Sequence, residues 1–132
     1  MLFACPLQKK ILTSPSLLNF YRYKMENFVH LHVHSQYSLL DGQASIKGMV
    51  DKAIGDGMRG MALTDHGNMF GVKELYDYCK KVNKGRKEKG LEPFKPIFGC
   101  EMYVAHCGDK SVHEGKENQS GWHLIVLAKN MT

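Results

Sequence analysis

The chain has 132 residues, 43% of them hydrophobic, which suffices for one modest core and is too short for several domains. Its formal net charge is +5, but residues 1–24 hold Lys9, Lys10, Arg22 and Lys24 and no acid, so residues 25–132 carry only +1 and the charge is no argument for a nucleic-acid-binding domain. No apolar run approaches the roughly 20 residues that span a bilayer, and Cys5, Cys79, Cys100 and Cys107 lack Cys-x-x-Cys spacing, so they read as reduced thiols of a cytoplasmic protein.

Near the start, Leu2-Phe3-Ala4 and Ile11-Leu12 are interrupted by Pro6 and Pro15, and no small-residue cleavage site follows, which argues against a signal peptide. The acid-free basic start resembles a transit peptide only weakly. Patterned sequence begins at Phe28. Residues 1–24 therefore read as a disordered extension ahead of Met25, and residues 25–132 as the domain.

Phe28–Val33 reads as a buried strand and Asp41-Gly42 as a turn. Ser45 offers an N-cap to a helix whose apolar face is Ile46, Met49, Val50, Ala53 and Ile54, closed by Gly55 and Gly57. Gly60–Thr64 is a second strand, ending in a turn at Gly67-Asn68. A second helix carries Val72, Leu75, Tyr76, Cys79 and Val82 on one face and gives way to a polar loop, Gly85–Pro93. Pro96–Val104 is a third strand, His106–Ser120 a loop, and Trp122–Ala128 a fourth strand. This alternation predicts an α/β fold with a parallel sheet and helical crossovers. In such folds the loops after the strands gather at one face, where His34, Asp41, Asp65 and His66 all fall.

His30, His32 and His34 alternate along the first strand, so a period of two puts the three rings on one face. A lone His-x-His is more often a satisfied strand pair than a ligand pair. Three imidazoles packed without a partner are costly, however, and a shared cation resolves that cost. Asp41 is explained equally well as the first residue of an Asp-Gly turn. Thr64-Asp65-His66-Gly67 ends a strand with a carboxylate and an imidazole, one to bind and the other to orient it. Glu101 stands in an apolar run, where a carboxylate is costly unless paired, metal-bound or already past the strand's end. His123 opens the last strand on its entry side, and spacing alone reads it as core or capping.

His106, Cys107 and His113 match no zinc pattern and read as solvated loop residues. Gly55, Gly57 and Gly60 follow a helix instead of opening one, so they form no phosphate loop. Lys80, Lys81, Lys84, Arg86, Lys87 and Lys89 read first as a solvated helix end and second as a contact for a nucleic-acid backbone. Convergence of separate elements on one face, more than any single motif, points to a metal-dependent hydrolytic site.

These residues lie in segments that resemble one family. Phe28-Val-His-Leu-His-Val-His-Ser-Gln-Tyr-Ser-Leu-Leu-Asp-Gly42, Leu63-Thr-Asp-His-Gly-Asn-Met-Phe-Gly71, Pro96-Ile-Phe-Gly-Cys-Glu-Met-Tyr-Val104 and His123-Leu-Ile-Val-Leu-Ala-Lys-Asn130 are similar to the PHP (polymerase and histidinol phosphatase) domain. Within that family they look like the amino-terminal domain of bacterial DNA polymerase III alpha subunits. The resemblance implies a distorted β/α (TIM-like) barrel with two or three metal ions, zinc or manganese, at its strand ends. It implies His32, His34, Asp41, His66, Glu101 and His123 as ligands and Asp65 and Glu101 as catalytic or supporting residues, and it moves His30 behind the ligands.

The family pattern continues past residue 132 with a late Asp-x-His pair, so the chain is expected to hold about the first half of the barrel and to lack a polymerase palm. The expected parent is a DNA-directed DNA polymerase that meets DNA, a sliding clamp and a proofreading subunit. Its PHP module would hydrolyse phosphodiesters in 3′–5′ proofreading. The chain alone is expected to be inactive and to leave strand edges open. The alternatives are a metal-braced structural module docking a proofreading subunit and a stand-alone phosphoesterase.

Overall fold

Ser45 begins the first regular element: its Oγ accepts the Gly48 amide at 3.2 Å and caps helix α1, Ile46–Gly55. The computed structural model describes residues 28–105, 109, 111 and 121–130. The expectations for residues 1–24, and for His106, Cys107 and His113, lie outside the described residues. Ile46, Val50 and Ala53 recur about a turn apart and are buried, with Met49 and Ile54 packed beside them.

Strand β1, Gly60–Leu63, is buried at every position, as a short apolar run covered on both faces must be. Helix α2, Val72–Glu88, places Leu75 and Cys79 in the same core as α1. It runs through Gly85, so the predicted loop Gly85–Pro93 begins later than expected. The stop signal is Gly90, at φ 67: its amide bonds Lys87 O at 3.0 Å while the Leu91 amide bonds Arg86 O at 2.9 Å. That is a Schellman closure, which requires a left-handed residue that glycine adopts without strain. A glycine in mid-helix costs only about 1 kcal/mol, which the buried face of α2 outweighs. Beyond the turn, Phe94 is 1% exposed, and its amide and carbonyl are held by the Asn83 side chain at 2.7 and 2.8 Å.

Strand β2, Lys95–Val104, pairs with β1 in parallel, from Gly60↔Lys95 to Leu63↔Phe98. Strand β3, Trp122–Leu127, pairs with β2 antiparallel, from Val104↔Trp122 to Gly99↔Leu127. The sheet order is β1-β2-β3. The all-parallel expectation is therefore corrected at β3. A parallel return needs a crossover, usually helical, and His106–Ser120 has no helical periodicity to supply one. The helices and β1 share the core, whereas Met102, Val104, Trp122, Leu124 and Val126 stay exposed on the β2–β3 hairpin. The described residues thus form a mixed α/β unit of three strands and two helices.

The segment Phe28–Val33 departs from the buried strand expected of it. It touches β1 through one bridge, His30↔Met61, with Phe28 46% and Leu31 49% exposed. Its register explains why. Ala62 N donates to His30 O and Thr64 N to Val33 O, both at 2.8 Å, so three steps on this segment match two on β1. The extra residue acts as a bulge and breaks the period of two.

Candidate metal centre

Thr64 fixes the tip of the His-x-His segment. Val33 N donates to Thr64 Oγ1 at 2.9 Å, and Thr64 N returns a bond to Val33 O at 2.8 Å. Val33 packs on the core, which leaves the rings on either side of it turned outward. His32 Nε2 and His34 Nε2 then lie 3.0 Å apart, and each is 2.6 Å from Glu101 Oε2. His30, on the far side of the bulge, packs edge-on against Phe28 at 4.7 Å and joins neither ring. The expected three-ring face is therefore a two-ring face.

Glu101 reaches this point because the turn after β1 pairs with β2. Glu101 N donates to Asp65 O at 3.0 Å and Gly67 N to Glu101 O at 2.8 Å, which sets His66 beside Glu101. His66 Nε2 is 2.7 Å from Asp41 Oδ2, while its Nδ1 is 3.1 Å from Tyr103 Oη and 3.6 Å from Glu101 Oε1. Antiparallel pairing of β3 puts His123 opposite Tyr103, two positions from the Glu101↔Ile125 pair, and His123 Nδ1 contacts Glu101 Oε1. The position at a strand's entry, awkward for a parallel strand, becomes natural here: the start of β3 lies beside the end of β2.

Asp41 comes from the loop 35–42. Ser38 O accepts the amides of Asp41 at 3.1 Å and Gly42 at 2.7 Å, and a Cβ at position 42 would sit 1.8 Å from Ser35 O, so only glycine closes the turn. Asp65 holds this loop from beneath. It is 1% exposed and accepts from Ser35 N at 2.6 Å, Ser35 Oγ at 2.9 Å and Ser38 Oγ at 2.8 Å. Ser38 Oγ in turn accepts the His66 amide at 3.1 Å. The Asp65 carboxyl thus points away from the rings, and the structure does not bring it together with the other candidates.

The remaining six candidates converge. His32, His34 and Glu101; His34, Asp41 and His66; and His66, Glu101 and His123 form three groups whose donor atoms lie within 4.8 Å of one another. Glu101 belongs to two of these and is 2% exposed. Burial pushes its carboxyl up, but hydrogen bonds from His32 and His34 and the charges of His66 and His32 outweigh this and bring it down to about 2.

The donor chemistry fits cations. His34 faces Asp41 with Nδ1 at 3.2 Å and Glu101 with Nε2, and as a ligand it would present one nitrogen to a cation and donate the other N–H to a carboxylate. His32 Nε2 and His34 Nε2 both converge on Glu101 Oε2, the two-nitrogen, one-oxygen set that a cation would share. Mixed nitrogen and oxygen donors suit zinc, manganese or iron.

A family model for the PHP domain matches residues 30–132, the span that holds all six of these side chains. The chain belongs to the PHP domain family. Relatives of this PHP domain include proteins named DNA polymerase III subunit alpha. That of Treponema pallidum (strain Nichols) is 46% identical over 109 residues, covering 80% of this chain and 8% of the relative. That of Borreliella burgdorferi is 43% identical over 103 residues, 78% of this chain and 8% of the relative. That of Mycobacterium tuberculosis (strain CDC 1551 / Oshkosh) is 37% identical over 118 residues, 80% and 9% respectively. The chain therefore spans under a tenth of the length of these relatives.

Three residues of the PHP site went unnoticed in the sequence. Tyr103 was legible, since it stands two residues after Glu101 on one strand and must share its face. Ser35 and Ser38 gave no signal beyond their nearness to His34. The basic cluster ends α2, which runs away from the strand exits toward the start of β2, so it lies at the other end of the sheet from the six side chains. Among the described residues no helix is long and apolar enough to cross a membrane.

Proposed function

We propose that this PHP domain is the amino-terminal region of a bacterial replicative DNA polymerase III alpha subunit, with a multinuclear zinc or manganese site suited to 3′–5′ hydrolysis of phosphodiesters. The observation that carries this is Glu101, whose two oxygens face two different sets of imidazoles. Its neighbours among polymerase alpha subunits supply the polymerase setting. DNA, the sliding clamp and a proofreading subunit follow as partners, the cytoplasm as location, and a β/α barrel as the complete domain.

Contact lengths divide the ligands. His34 is nearer to Glu101 than to Asp41, and His66 nearer to Asp41 than to Glu101. His32, His34 and Glu101 would hold one ion, Glu101 with His123 a second, and Asp41 with His66 a third. When bound, such ions polarise a phosphoryl oxygen and lower the pKa of a water. The protein's own share is to fix the donors. Thr64 pins the His32–His34 tip, Tyr103 engages the His66 nitrogen that faces away from Asp41, and Asp65 supports the loop that delivers Asp41. Asp65 acts in this scheme as a positioning residue.

The test uses the alpha subunit that carries this region and its His34→Ala variant, given 5′-labelled single-stranded DNA and manganese or zinc. Stepwise 3′ shortening that the variant loses supports the proposal. Metal retained by both proteins with no cleavage by either overturns the hydrolytic part and leaves a structural module.

A further inference from the structure

We infer that the PHP site includes a nucleobase-stacking subsite, a cleft of about 400 Å³ beside the Asp41–His66 group whose exposed rings are Phe70 and Tyr103. The inference rests on the functional reading above and names where the substrate's terminal base lies. Two loops of the site make the cleft: 35–42, with Leu39 and Leu40 at its tip, and the turn after β1, which ends in Phe70. Leu39 is 87%, Leu40 fully, Phe70 73% and Tyr103 52% exposed. Large apolar side chains concentrated this way around a polar centre mark a binding surface more often than a solvated one.

The polar groups of the cleft wall are already committed. Tyr37 Oη donates to Glu74 at 2.9 Å and Ser38 Oγ to Asp65 at 2.8 Å. Asn68 Nδ2 donates to Tyr37 O and His66 O, and its Oδ1 accepts the Phe70 amide. The donors of those side chains are thus all engaged, and what the wall offers a base is chiefly the flat apolar contact of Phe70 and Tyr103. Asp41 and His66 lie at one end of the same cleft, where they can hold a cation for a phosphate. A nucleotide, flat at one end and phosphorylated at the other, matches both ends of this cleft, and it is the ligand that the reading above supplies. A wall whose side-chain donors are engaged elsewhere holds a base by stacking and so accepts any base, as stacking platforms for single strands do.

The test is calorimetric titration of the zinc-loaded protein with dAMP, dTMP and 2′-deoxyribose 5-phosphate, the last carrying the phosphate without a base. Both nucleotides should bind about fivefold or more tighter than the sugar phosphate, the low end of what one stacked base supplies. In Phe70→Ala the three affinities should converge at that of the sugar phosphate. Phe70→Tyr, which keeps the ring, should preserve the preference. Phe70 is 73% exposed, so its loss leaves the core intact, and an unchanged circular dichroism spectrum checks this.

Equal affinity for nucleotides and sugar phosphate in the unaltered protein overturns the subsite while leaving the metal–phosphate reading standing. So does a preference that survives Phe70→Ala. If none of the three ligands binds, both readings fail.

Discussion

Removing the Asp65 carboxyl should unfasten the loop that delivers Asp41, and the cost follows from its bonds. Asp65→Ala strands three donors, Ser35 N–H, Ser35 Oγ–H and Ser38 Oγ–H, in a pocket where Asp65 is 1% exposed. A buried donor left without a partner costs about 1–3 kcal/mol. The amide cannot turn to another acceptor and costs that amount; each hydroxyl can, and loses about 1 kcal/mol with its bond, so about 3–5 kcal/mol is expected, a large part of the stability of a small domain. Asp65→Asn keeps Oδ1 for Ser35 N–H and Ser38 Oγ–H and offers an amide that can donate to Ser35 Oγ, so it should cost about 1 kcal/mol. Urea unfolding of the three proteins reads the difference as a shift in midpoint at constant slope. Asp65→Ala as stable as the unaltered protein, or Asp65→Asn as damaging as Asp65→Ala, would refute the reasoning.

Glu101→Gln keeps the shape of the central side chain but removes the charge shared by two groups. Zinc affinity measured by calorimetry should then fall by more than the roughly 10–100-fold typical of losing a supporting residue, and an unchanged isotherm would count against a bridging role. Asn83→Ala orphans the amide and carbonyl of Phe94, far from the rings. It should cost about 2–3 kcal/mol in urea unfolding while leaving zinc binding intact, and a loss of zinc binding would contradict the separation of core and site. Burial pushes the Cys79 thiol up to about 11. Below that pH it stays protonated, so Cys79 should resist iodoacetamide at pH 8 in the native state and react once the protein is unfolded, as mass spectrometry of the modified peptide shows. Rapid native labelling would contradict its placement in the core.

Local signals in the sequence were reliable where local physics decides. Ser45 and the apolar spacing after it define α1 as expected, and Gly60–Thr64 and Trp122–Ala128 are strands to within a residue. Misreadings arose where tertiary structure decides. Gly85 suggested a helix end, but packing carried α2 on to Gly90. The bulge in the His-x-His segment has no sequence mark, so the strand period alone could not exclude His30; only the family resemblance set it behind the ligands. Spacing alone read His123 as core or capping; the resemblance placed it among the ligands, and antiparallel β3 supplies the physical reason. The convergence of His34, Asp41 and His66 was legible because each follows a predicted strand, whereas Glu101, inside β2, stood out only as a carboxylate in an apolar run. The inward turn of Asp65 was not, since nothing in Asp-His says which of two adjacent side chains faces the core.

Whether these scattered side chains enclose shared cations is decided by a crystal structure of the zinc-soaked protein with anomalous data at the zinc edge. Zinc is expected about 2.0–2.2 Å from His32 Nε2, His34 Nε2 and one Glu101 oxygen, with the other oxygen of Glu101 on a second ion beside His123. Anomalous peaks only elsewhere on the surface, with Glu101 bound to imidazoles alone, would contradict it.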